Sequence, residues 1–171
     1  MRETMPAVTQ EHLREACALA RLAREEGRAV CVGREERRYD QSVWDCGTAC
    51  CIHGYAMILA RGPHCDRKAP GTGDYDDLPH GMRNGVLSVL GSSNGTPELA
   101  ERVLDGSIII GDLVEIGRRV IIGDGAVLGD RVVLCDRSLI EYGAKIGYRA
   151  VIGTESTIGD DAVIGDHADI G

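Results

Sequence analysis

Residues 104–171 read LDGSIIIGDLVEIGRRVIIGDGAVLGDRVVLCDRSLIEYGAKIGYRAVIGTESTIGDDAVIGDHADIG, and their period decides the fold of that half of the chain. Every sixth residue is Ile or Leu: Leu104, Ile110, Ile116, Ile122, Leu128, Leu134, Ile140, Ile146, Ile152, Ile158, Ile164 and Ile170. Gly follows in nine of the twelve cases. A period of six misses the helical repeat and suits a strand followed by a turn. Two residues before each Ile or Leu stands a small or branched residue, from Ile108 and Val114 through Ala126, Ser138 and Ala150 to Ala168. Strand alternation sends positions two apart to one face, so both columns point inward and the residue between them points outward. The Gly is expected to supply the positive φ of a tight corner.

The hexad is complete in Ile158-Gly159-Asp160-Asp161-Ala162-Val163. In this the stretch resembles the hexapeptide-repeat family. The resemblance implies a left-handed parallel β-helix of triangular section, with three hexads per coil. Residues 18 apart then stack about 4.8 Å from each other. The expected fold is α+β, a small, mostly helical N-terminal domain over 1–105 followed by a short β-helix of about three to four coils over 106–171.

Stacking assigns the remaining positions. The outward column is Ile109, Glu115, Ile121, Val127, Val133, Leu139, Lys145, Val151, Thr157, Val163 and Asp169. Seven of these eleven are aliphatic, which points to faces covered by sister subunits or by the N-terminal helices. The family is commonly trimeric, so the resemblance implies a homo-oligomer with a trimer favoured. The pattern runs to Gly171 without a capping helix, which suggests end-to-end contact at the C-terminal coil or a longer repeat array. One corner stacks Arg131, Tyr148, Arg149 and His167, a candidate site for a small anionic ligand such as a phosphate or carboxylate. The favoured expectation is pairing of those cations with the adjacent Asp column. The repeat is least regular from Cys135 to Tyr148, where Cys135 and Glu141 replace Gly.

The first half reads differently. Thr9 is a plausible N-cap for a helix to Gly27, with Glu11 in its first turn. Ala29 to Val32 is a short strand or an extended link. The charged run Arg34–Arg38 is expected to be a surface loop. Thr48 is expected to cap a helix from Ala49 to about Ala60, ended by Gly62-Pro63. Pro63 to Asp77 reads as loop, Met82 to Leu90 as a helix, and Ser92 to Gly95 as a turn. Thr96 and Pro97 open a last helix ending near Gly106.

Chemistry is sparse. An acyltransferase of the hexapeptide type needs a general-base His beside a coenzyme A groove. Only His167 lies within the repeat; His12, His53, His64 and His80 lie before it. Carbonic anhydrase chemistry needs three His ligands from the coils and is excluded on that count. A zinc site from Cys46, Cys51, His64 and Cys65, with Cys50 and His53 nearby, lacks a C-x-x-C pair. Cys50 and Cys51 near Asp45 and His53 also raise a reactive thiol. The stretch Cys46-Gly47-Thr48-Ala49-Cys50-Cys51-Ile52-His53-Gly54 after Trp44 resembles a segment of uncharacterised phage and bacterial proteins, implying a phage-like origin without a set activity.

Composition bounds the rest. The net charge of −8 opposes direct binding to nucleic acid or anionic membranes and leaves an acidic DNA mimic as an alternative. There is no Phe and one Trp, so the core is aliphatic. Seven Cys without an export signal read as reduced thiols of a cytoplasmic protein. The expectation is a non-enzymatic oligomeric binding or assembly protein without cofactor. Its partners would be itself, a small ligand or a host protein. The alternative is an acyltransferase using coenzyme A.

Overall fold

The computed structural model describes residues 7–32, 35–39, 49–50, 52–61 and 75–171, with side chains omitted at 35–39 and 49–50. Helix α1 spans Gln10–Glu26, with Thr9 as N-cap and Gly27 in the left-handed C-cap. Thr9 and His12 cap reciprocally: the His12 N–H donates to Thr9 Oγ1, and the Thr9 N–H donates to His12 Nδ1. Its buried stripe is Leu13, Ala16, Cys17, Ala20 and Ala23, the 3–4 spacing of one helix face. Strand β1, Val30–Val32, buries Val30 and Val32 and exposes Cys31.

Two expectations fail here. The charged run is not a loop: Glu35–Tyr39 is strand β2, antiparallel to β1 and parallel to β3, Ala49–Cys50. Sheet pairing runs through the backbone, so charged side chains do not forbid it. The following helix α2 is Ile52–Arg61, not a helix from Ala49, because Ala49 and Cys50 pair with Arg38 and Tyr39. Thr48, Gly62 and Pro63 lie outside the described residues. Helix α3 is His80–Gly91, and α4 is Pro97–Leu104, capped by Thr96 through the Leu99 N–H at 3.2 Å.

The repeat forms a parallel β-solenoid. Its strands are Ile109–Ile110 (β4), Glu115–Ile116 (β5), Ile121–Ile122 (β6), Val127–Leu128 (β7), Val133–Leu134 (β8), Leu139–Ile140 (β9), Lys145–Ile146 (β10), Val151–Ile152 (β11), Thr157–Ile158 (β12), Val163–Ile164 (β13) and Asp169–Ile170 (β14). They stack as three sheets: β4, β7, β10 and β13 make sheet I; β5, β8, β11 and β14 make sheet II; β6, β9 and β12 make sheet III. The register pairs Ile109 with Val127 and Ile110 with Leu128, the predicted separation of 18. Ile110, Ile122, Leu128, Leu134, Ile140, Ile146 and Ile152 are buried, with Ala126, Val132, Ala144 and Ala150 beside them.

The corners correct the reading of glycine. Positive φ falls at the third residue after each Ile or Leu: Leu113, Arg119, Arg131, Arg137, Arg149, Glu155, Asp161 and His167, with Gly125 and Gly143. At several coils the Gly after the aliphatic is needed for space instead. A Cβ on Gly117 would lie 2.6 Å from the Cys135 carbonyl carbon in the next coil. Coils approach too closely there for a side chain.

The helices cover the first coil. Ser88 Oγ donates to the Gly111 carbonyl at 2.7 Å, and Asn94 Nδ2 to the Ile116 carbonyl at 2.9 Å. Arg102 Nη1 donates to the Ile122 carbonyl at 2.5 Å. The Ile116 and Ile122 carbonyls belong to the ladders of sheets II and III, Ile116 also accepting from Ser92 Oγ at 3.3 Å, while Gly111 begins the corner after sheet I. Helix α1 joins α4 through the Arg21–Glu101 pair at 2.7 Å and a Gln10 bond to the Leu104 carbonyl at 2.9 Å. Among the described residues no helix is long and apolar enough to cross a membrane.

Candidate functional site

Each solenoid corner has a tip residue and then a positive-φ residue. The positive-φ N–H donates to the tip carbonyl of the coil before: Arg131 to Asp112 at 2.7 Å, Arg149 to Asp130 at 3.0 Å, His167 to Tyr148 at 2.8 Å. The left-handed backbone aims that N–H along the stack while its side chain leaves the surface. Tip Asp residues do a second job. Asp130 Oδ1 accepts the Asp112 N–H and Asp166 Oδ1 the Tyr148 N–H, each at 2.8 Å. Asp136 accepts the Arg118 N–H at 2.8 Å, and this bond, helped by the Arg118 guanidinium, holds its carboxyl below the usual range.

This alters the expected corner between sheets I and II. Three of its four candidate residues meet. The Tyr148 and His167 rings lie edge to face with centroids 5.4 Å apart, and the Arg149 guanidinium lies 5.1 Å from the Tyr148 centroid. Arg131 stands one coil earlier on the same corner. The expected pairing of these cations with the Asp column does not form; those carboxylates turn onto backbone N–H groups instead. Arg131 and Arg149 have no ion-pair partner among the described residues, and both are exposed. Cations do pair at the corner between sheets II and III, where Arg118 meets Asp136 at 3.1 Å and Arg137 meets Glu155 at 2.5 Å.

The other candidates separate. Cys46, Cys51, His64 and Cys65 lie outside the described residues, as do Asp45 and Thr48. Cys50 is placed by its backbone alone. Among the described residues no cluster of His, Cys, Asp and Glu is arranged to hold a metal. His53 is buried and hydrogen-bonds through Nδ1 to the Tyr75 hydroxyl. His12 is occupied by the α1 cap, and His80 begins α3. Burial, with Glu101 nearby, pushes the Cys17 thiol up to about 12, so it stays protonated and unreactive.

The sequence reading marks Tyr142 only as part of the irregular span from Cys135 to Tyr148 and does not reach Arg119. Tyr142, 62 % exposed, projects from the corner between sheets III and I beside Asp124, Glu141, Asp160 and Asp161. Arg119 is the first-coil counterpart of Arg131 on the far edge of sheet II. The stacking rule that found Arg131 would have found Arg119, had every corner been tallied for charge. Comparison with protein-family models, with curated proteins and with solved structures returned no match.

Proposed function

We propose that the chain is a non-catalytic, self-associating module of the hexapeptide-repeat type, with three copies as the expected number. The observation that carries the reading is the exposure of outward aliphatic side chains on regular sheets: Ile109 is 55 %, Ile121 62 % and Val163 74 % exposed. Isolated apolar residues are ordinary on a surface, but repeated ones on a sheet face mark a contact. A second copy is the partner; a small ligand or host protein would bind the assembled form. The cytoplasm and a phage-like origin remain part of the proposal.

Sedimentation from micromolar to millimolar protein tests it. The expected result is a mass that is a multiple of the 18.3 kDa chain and falls in an Ile121→Asp, Val163→Asp variant. A monomer at every concentration, or coenzyme A-dependent acyl transfer lost in His167→Ala, would overturn it.

A further inference from the structure

We draw no further inference here: the strongest candidate, the corner between sheets I and II where Tyr148, Arg149 and His167 meet beside Arg131, belongs to the site already described, and Asp112, Asp130 and Asp166 on the same corner offset its cations.

Discussion

At the residue scale the solenoid turns on where a side chain has room. The column after the inward Ile was expected to be Gly for its dihedral freedom, yet the dihedral demand falls two residues later and is met mostly by Arg, Glu, Asp and His. At Gly117 what the chain needs is the absence of a Cβ, although Cys135 and Glu141 carry one elsewhere in the column. Gly117→Ala would put that atom 2.6 Å from the next coil's backbone and is expected to cost about 1–3 kcal/mol. Gly165→Ala meets nothing within 4 Å and is expected to be neutral or slightly stabilising. Denaturant midpoints of the two variants separate a spatial from a conformational role, since equal losses would restore the conformational one. Ser138 makes the opposite case. Its hydroxyl stands among the inward columns, 1 % exposed and without a hydrogen-bond partner. Ser138→Ala removes an unsatisfied group and is expected to raise stability by about 1–3 kcal/mol in the same measurement.

At the scale of the element, each corner is a small hydrogen-bonded device that repeats. Asp136 shows how it responds to pH. Its folded pKa is depressed, first by the Arg118 N–H and then by the Arg118 charge. The folded state therefore binds the proton less readily than the unfolded chain. The contribution is present above the ordinary Asp value, about 3.9, and is lost as pH falls through the depressed value. Asp136→Asn is expected to lower the denaturation midpoint at neutral pH, and the gap from wild type should close in strong acid. A gap independent of pH would remove the carboxylate from the argument. The strands and buried columns were legible in the sequence because one period controls them: the same Ile that fills the interior also sets the register. The candidate corner was legible only in part. Stacking brought Tyr148, Arg149 and His167 to one place, but not the turning of Asp130 and Asp166 onto the backbone, which left Arg131 and Arg149 without ion pairs. Strand β2 was illegible for a different reason. Its pairing uses backbone groups alone, and a run of Glu and Arg carries no hydrophobic period to announce it.

At the scale of the whole molecule, one continuous core runs from Val8 in the helical half to Ile158 in the solenoid. The junction is tight. A Cβ on Gly85 would lie 2.8 Å from the Ile110 carbonyl and 2.9 Å from Val103, so α3 is pressed onto β4. Helices α3 and α4 and the turn between them supply the donors for the carbonyls of Gly111, Ile116 and Ile122. A solenoid coil has open backbone on either side, and these side chains cover part of the first coil's open edge. The reading of 1–105 and 106–171 as separate domains therefore meets a direct test. Residues 106–171 expressed alone lose Ser88, Asn94 and Arg102, expose the underside of Ile108 and Ile110, and leave the carbonyls of Gly111, Ile116 and Ile122 to water. The fragment is expected to aggregate or to melt well below the full chain. Arg102→Ala in the full chain removes one of those donors, to Ile122, and its contact with Asp124, and should lower the melting temperature by a few degrees, about 1–2 kcal/mol of lost bonding at a partly buried group. A fragment that stays monomeric and melts cooperatively at the full-length temperature would show that the solenoid stands by itself. The helical half would then be a second domain beside it, not the cap that makes its first coil stable.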